Sequence, residues 1–152
     1  MPDSSRLLAV SEVAHAANCQ WRLWCYLTDN TQLESPDVFH RYIGDLTSGE
    51  DEKLAAKYRA AGRVFQTDLE LTAEDLNGTL PFLVYEDDSW VLQMARFSAH
   101  ARQDSVNLLA GYAHLARHNQ ELLNADFPAL AAKLAPYAQI LLADGKTVDF
   151  PL

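Results

Sequence analysis

Residues 65–71 alternate between apolar or β-branched side chains and polar or acidic ones, and this alternation limits the fold more than any other feature of the sequence. Phe65, Thr67, Leu69 and Leu71 occupy the odd positions, and polar or acidic side chains occupy the even ones. Side chains on a strand repeat every two residues, so the pattern predicts a strand with one buried face. The sequence therefore predicts a sheet near the middle of the chain.

Further strands are predicted on the C-terminal side of this one. Asn77-Gly78 predicts a turn, and strands are then predicted over Leu80–Tyr85 and Trp90–Phe97. The segment Glu86-Asp87-Asp88-Ser89 between them has the composition of a hairpin turn. Residues 139–142 and 147–150, separated by Asp144-Gly145, predict a closing hairpin.

Helical periodicity flanks the predicted strands on both sides. Residues 9–28 predict a buried helix, and Ser35-Pro36 predicts the start of a short helix that runs to Gly44. Thr47 and Glu50 resemble a capping box at the start of a second helix, which ends at Gly62.

The remaining helices are predicted after the three strands. Apolar residues recur at helical spacing over 104–119, with Asp104 as a cap, and Asp126-Phe127-Pro128 predicts a short helix that ends before Pro136. This order of elements is typical of an α/β or α+β domain with a central mixed sheet flanked by helices.

Length and composition indicate one globular domain over residues 1–152. The chain is 49% hydrophobic and 22% charged, and no apolar run approaches the roughly 20 residues that a membrane-spanning helix needs. The segment MPDSSRLLAV lacks the pattern of a secretory signal, so a cytoplasmic location is expected. If Cys19 and Cys25 share a helix, they lie about 240° apart around it and cannot form a disulfide.

The charge balance disfavours nucleic acid as a partner. Twelve basic residues against 21 acidic ones give a formal net charge of −9, and no basic block exists. Because phosphate contacts supply most of the affinity for generic DNA, weak or no binding is expected. A protein partner with a basic face would be attracted instead.

Four local strings and their order resemble the RecB-like branch of the PD-(D/E)XK nucleases, over roughly residues 9–145. They are VSEVAHAANCQWRLWCYL, Gly49-Glu50-Asp51-Glu52, LPFLVYEDDSWVLQMARF and NLLAGYAHL. The resemblance implies a restriction-endonuclease-like core. It also implies hydrolysis of phosphodiesters by Mg²⁺, held by an aspartate that opens the hairpin and by a glutamate two residues before a lysine on the next strand.

This chain departs from the family pattern at every hairpin position. The aspartate position falls at Pro81, the glutamate at Gln93 and the lysine at Ala95. Pro81 and Ala95 cannot bind a metal, and the neutral Gln93 replaces a carboxylate poorly. We therefore expect no catalytic residues, no metal and no cofactor.

Two other family positions are also altered. The helical histidine becomes Asp51, while the glutamate beside it is kept as Glu52. The glutamine of the Q-x-x-x-Y signature in the later helix becomes Leu108, while its tyrosine is kept as Tyr112.

Three functions are compatible with this pattern. The first is a non-catalytic nuclease-like domain that acts as a protein-binding or regulatory module. The second is a divergent Mg²⁺-dependent DNA nuclease with migrated ligands, which would use Asp51, Glu52 and Gln93. The third drops the resemblance in favour of a small acidic immunity or inhibitor protein that covers a basic partner.

Other groups have ordinary structural interpretations. We expect Asp45 and Glu50–Glu52 to be acids of a first helical turn, and Glu86–Asp88 to be solvated turn residues. Trp21, Trp24 and Trp90 are expected in the core. Interface residues are expected among Arg96, Arg102, His114 and His118, of which the two histidines have the i, i+4 spacing of metal ligands, and Arg117 is expected to balance surface acids.

Overall fold

The computed structural model describes residues 7–11, 13, 38–74, 76–96 and 103–152. Val10, Ser11 and Val13 are helical. The helices whose bounds lie in these ranges are α1 (Val38–Ala60), α2 (Gln103–His118) and α3 (Gln120–Leu123). The strands are β1 (Leu8–Ala9), β2 (Phe65–Ala73), β3 (Leu76–Glu86), β4 (Ser89–Ala95), β5 (Lys133–Leu141) and β6 (Thr147–Pro151). No helix in these ranges is both long and apolar enough to cross a membrane.

The strands form one mixed six-stranded sheet, which confirms the predicted fold class. The antiparallel strand β2 pairs along one edge of β3, and β4 pairs with the other edge, also antiparallel. The short β1 runs parallel to the start of β3, with Leu8 opposite Leu76. On the far side β4 and β5 are parallel, and β6 returns antiparallel to β5.

Helices cover both faces of the sheet. The parallel pair β4 and β5 needs a crossover connection, which α2 and α3 supply. On one face, which we call the α1 face, α1 buries Leu54, Ala55 and Tyr58 against Phe82 and Val84. The opposite α2 face holds the larger core, whose fully buried members include Trp90, Leu92, Leu109, Leu115 and Ile140.

In β2 and β3, the side chains switch from one face of the sheet to the other at Asp68 and Pro81, and we call this switch the reversal. Side chains two residues apart on a strand normally share a face. Phe82, however, packs in the α1 core, whereas Leu80 packs in the α2 core. Thr67 pairs with Phe82 and Leu69 with Leu80, so the reversal falls on the two residues between those pairs. Asp68 has a φ of 56°, and Pro81 has no N–H to donate to the ladder.

Three strand predictions are confirmed. The strand predicted from residue 65 is β2, and the 86–89 segment is the tight turn between β3 and β4, with Glu86 opposite Ser89. Asp87 and Asp88 have φ values of 49° and 62°, which is the geometry of a type I′ hairpin turn. The closing hairpin is also present, with Leu141 opposite Thr147.

The predicted break between two helices at Gly44 and Thr47 is wrong. A single helix runs from Val38 to Ala60, so Thr47 and Glu50 lie inside it and form no capping box. A glycine within a helix costs only about 1 kcal/mol, which packing of the buried C-terminal half offsets. Asp51 and Glu52 are therefore not first-turn acids, since the first turn holds no acidic residue.

The predicted turn at Asn77-Gly78 is also wrong, because both residues lie inside β3. The chain turns earlier, between Ala73 and Leu76, which pair across the hairpin. Gly78 serves close packing instead. A Cβ atom there would lie 3.0 Å from Leu115 Cδ1 and 3.1 Å from Val10 Cγ2.

The predicted short helix from Asp126 is wrong as well. The helix lies earlier, at Gln120–Leu123, and the region before Pro136 is a turn followed by β5. Pro136 lies within β5 where the register with β4 shifts between Trp90 and Leu92. A proline is tolerated at such an irregularity because no ladder N–H is needed there.

Some predictions fall outside the described residues. These are nearly all of the 9–28 helix with its cysteines, Trp21 and Trp24, the helix start at Ser35-Pro36, the side chain of Asp45, and Arg102. The prediction of Asp104 as a cap is wrong, because α2 already includes Gln103.

Candidate functional site

A pocket of about 380 Å³ opens between α1 and the β2–β3 hairpin, at the point where the sheet reverses its faces. We call it the Asp51 pocket. Its lining is Asp51, Glu52, Ala55, Arg59, Thr67, Asp68, Pro81 and Phe82. The reversal explains the pocket, because Leu69 and Leu80 turn toward the α2 core and leave space beneath α1. Three of the positions implied by the family resemblance, Asp51, Glu52 and Pro81, thus lie around one cavity.

The charge in this pocket is mainly negative. Burial raises the pKa of the Asp51 carboxyl above its usual value, and the nearby charges of Asp68 and Glu50 raise it further. The positive charge of Arg96 opposes these effects. Arg59 contributes a cation at the rim, and its guanidinium lies 5.8 Å from the centre of the Phe65 ring.

Gln93 lies on the same face but is held in a chain of hydrogen bonds. The side chain is 3% exposed. Its Oε1 accepts a short hydrogen bond from the Tyr58 hydroxyl, and its Nε2 donates to Gln139 Oε1 at 2.8 Å. Gln139 Nε2 in turn donates to Asp149 Oδ1 at 3.0 Å. Both hydrogen-bonding ends of Gln93 are therefore used within the protein.

A second pocket, of about 430 Å³, lies over this chain of amides and does not include Asp51 or Glu52. Burial raises the pKa of Tyr58, so its hydroxyl remains a donor. The Arg63 guanidinium lies 4.9 Å from the centre of the Tyr58 ring and pairs with Glu86 at 3.1 Å.

Ala95 completes the α1 face two residues after Gln93. It is 6% exposed and packs in the α1 core. Arg96 follows it, and its Nε donates to Ser105 Oγ at 2.9 Å. Its positive charge opposes the rise in the pKa of both Asp51 and Tyr112 that burial causes.

Leu108 and Tyr112 lie on α2 and pack against the α2 core. Tyr112 approaches Gly78, where an added Cβ would meet its ring at 3.3 Å. Burial raises the pKa of Tyr112. These two positions therefore contribute to packing on the opposite side of the sheet from Gln93.

His114 and His118 lie at the C-terminal end of α2. Their ring centres are 4.2 Å apart, and His118 Nε2 lies 3.9 Å from the Glu74 carboxylate. They are remote from the Asp51 pocket, whose lining comes from α1, β2 and β3. Trp90 is in the core as predicted, and its Nε1 donates to Asn124 Oδ1 at 2.9 Å.

Sequence reasoning missed Asp68, Tyr58 and Gln139. Asp68 looks like an ordinary exposed residue of an alternating strand, and its positive φ has no signal in the sequence. Tyr58 looks like a simple core residue of α1. Gln139 was correctly predicted as a strand residue, but its partner Gln93 is 46 positions away.

Comparison of the chain with protein-family models, with curated proteins and with solved structures gives no significant match. The family resemblance therefore stays a prediction from the sequence.

The Tyr58–Gln93 hydrogen bond predicts the effect of a one-atom deletion. Tyr58→Phe keeps the ring beneath Arg63 but leaves the buried Gln93 oxygen without its donor, so we expect a loss of about 1–3 kcal/mol in the free energy of unfolding. Urea denaturation measures this loss. Tyr137→Phe is the matched control, because the Tyr137 hydroxyl is in no hydrogen bond within the described residues, and we expect about 0.5 kcal/mol or less. Equal losses in the two variants would contradict the role given to this bond.

The raised pKa of Asp51 predicts a pH-dependent stabilisation by Asp51→Asn. A carboxyl with a raised folded-state pKa stabilises the fold when protonated, and this stability is lost as pH rises through that pKa. The variant should therefore have a higher urea midpoint than the original chain at pH 7. The difference should shrink as pH falls toward the ordinary value of 3.8. Asp126→Asn, at an exposed loop residue, should show no such trend.

Proposed function

We propose that this chain is a non-catalytic PD-(D/E)XK nuclease-like domain that binds a protein partner with a basic face. The observation that carries the proposal is the state of Gln93. At the position of the family's metal-binding glutamate, the chain has a buried amide whose two ends are bonded to Tyr58 and Gln139. That side chain contributes to the fold, and a metal or a substrate would compete with the hydrogen bonds that hold it.

The order of elements supports the nuclease-like part of the proposal. The family pattern is two helices, three strands and a further helix, and the described residues follow its later part as α1, then β2 to β4, then α2. Gln93 and Ala95 share the α1 face, as positions two apart on a strand should. Asp51 and Glu52 face the same side from α1.

The residues do not fit the Mg²⁺ that the family would bind. Pro81 and Ala95 have no side-chain donor. Within the described ranges, no three carboxylate, histidine or cysteine side chains are grouped so that they could hold a metal ion. Restoring the glutamate would also be costly. In Gln93→Glu a carboxylate oxygen would face Gln139 Oε1, and a flip of the Gln139 amide would only move the conflict to Asp149.

A nuclease with migrated ligands is the second candidate. The observation that favours it is that Asp51 and Glu52 share a pocket with a third carboxylate, Asp68. Its third expected ligand, Gln93, lies outside this pocket and accepts from Tyr58.

The acidic-inhibitor alternative shares the electrostatic argument of the proposal. The net charge of −9 attracts a basic protein surface whether or not the fold is nuclease-like.

A cleavage assay separates the first two candidates. Purified protein with Mg²⁺ or Mn²⁺ should leave both single-stranded and duplex DNA intact, because a hydrolytic site cannot be assembled around Pro81 and Ala95. Cleavage that Glu52→Ala abolishes and Glu121→Ala leaves unchanged would establish the migrated-ligand nuclease and overturn the proposal.

Binding measurements test the choice of partner. Fluorescence anisotropy with a labelled duplex at physiological salt should give a Kd no tighter than about 10⁻⁵ M, since few phosphate contacts are available. A partner co-purified from the host should associate more slowly as salt rises. Sub-micromolar DNA binding that Arg96→Ala or Arg102→Ala weakens would replace the protein-partner proposal by a DNA-binding one.

A further inference from the structure

We propose that the second pocket, which lies over the series of hydrogen bonds from Tyr58 to Asp149, binds a short peptide with a free amino end and a free carboxyl end. The pocket has a volume of about 430 Å³ and lies between the C-terminal half of α1 and strands β4 to β6. Cavities of this size commonly hold small ligands. This site does not depend on the function proposed above.

The floor of the second pocket consists of polar side chains that the fold holds in place. Tyr58 is 5% exposed and Gln93 is 3% exposed, and both line the pocket. The Tyr58 hydroxyl donates to Gln93, and Gln93 donates to Gln139, which is only partly buried. Gln139 is therefore the amide at which this buried support reaches the surface of the pocket.

The Asp149 carboxylate fixes the orientation of both amides. An ionised carboxylate only accepts hydrogen bonds, so the Gln139 group that lies 3.0 Å from Asp149 Oδ1 is the NH₂ group. Gln139 Oε1 then faces Gln93 and accepts from its Nε2 at 2.8 Å. The fold thus orients Gln139 before a ligand binds, which lowers the entropic cost of binding.

Gln139 keeps half of its hydrogen-bonding groups for a ligand. A primary amide has two N–H groups and an oxygen with two lone pairs. Gln139 uses one N–H toward Asp149 and one lone pair toward Gln93, and it makes no other hydrogen bond within the described part of the chain. The remaining donor and acceptor match the C=O and N–H groups of a peptide bond.

One cation and one anion of the lining are left for a ligand. Lys57 lines the pocket from α1 and forms no ion pair with any residue that the structure describes. Asp149 lines it from β6, and only its Oδ1 is used, by Gln139. The other two charges, Arg63 and Glu86, pair with each other at 3.1 Å.

A short peptide has complementary groups in the matching order. Its ammonium group would pair with Asp149, its peptide bond with the Gln139 amide, and its carboxylate with Lys57. Adjacent strands lie about 4.8 Å apart, so β4 and β6 are about 10 Å apart, and two or three extended residues span about 7–10 Å.

Other small ligands match this pocket less completely. A free amino acid carries both charges but has no peptide bond between them, and a neutral sugar leaves Lys57 and Asp149 without counterions. Water can hydrogen-bond to all of these groups, but one peptide replaces several water molecules. The peptide is therefore the ligand that the lining favours.

NMR titration of the full, ¹⁵N-labelled chain with L-alanyl-L-alanine tests the proposal. The side-chain amide signal of Gln139 should shift and saturate. N-acetylation or C-terminal amidation of the dipeptide should each weaken binding by about fivefold, as expected for loss of one exposed ion pair. Free alanine should bind more weakly than the dipeptide.

Two exposed substitutions assign the two ends of the peptide. Asp149→Asn keeps an oxygen that accepts from Gln139 but removes the charge, so it should weaken dipeptide binding by about fivefold, and N-acetylation should cost nothing further. Lys57→Gln should have the same effect for C-terminal amidation. The matched controls are Asp144→Asn, in the turn before β6, and Lys133→Gln, at the start of β5, and both should bind as the original chain does.

The blocked peptides keep the test decisive even if a substitution alters the fold, because they are compared on the original chain. Absence of a saturable shift at millimolar dipeptide would overturn the proposal. Equal binding of free and blocked dipeptides, or of dipeptide and alanine, would overturn it as well.

Discussion

The α1 face depends on one series of hydrogen bonds, which is buried at Tyr58 and Gln93 and reaches the surface at Asp149. It starts at the Tyr58 hydroxyl on α1, passes through Gln93 on β4 and Gln139 on β5, and ends at Asp149 on β6. An unpaired buried amide costs about 1–3 kcal/mol, so each member constrains its neighbours. This series of hydrogen bonds therefore sets the position of α1 over three adjacent strands.

The same position of α1 explains how the Asp51 pocket and the Gln93 network separate. Toward β4 to β6, the helix lies over bonded amides and a packed core that includes Ala95. Toward β2 and β3, the reversal at Asp68 and Pro81 turns the apolar side chains to the other core and leaves a mainly acidic cavity. The carboxylates of Asp51, Glu52 and Asp68 and the amide of Gln93 thus lie in different depressions, which is why we favour binding over catalysis.

The two faces of the sheet offer different chemistry to partners. The acidic Asp51 pocket on the α1 face suits a basic protein surface. On the other face, the end of α2 holds the adjacent rings of His114 and His118 beside the exposed Glu74.

The strand β2, the acidic turn at 86–89 and the helical spacing of α2 can be predicted from local sequence, because each follows from a local period or from local turn chemistry. That the side chains of Pro81 and Ala95 cannot bind a metal is equally plain from the sequence. The continuation of α1 through Gly44 depends on tertiary packing, because the partners of this helix come from distant strands. The same holds for Asn77-Gly78, where close packing against Leu115 and Val10 overrode a local turn preference. It also holds for the bonds of Gln93, whose partners lie 35 residues earlier and 46 residues later in the chain.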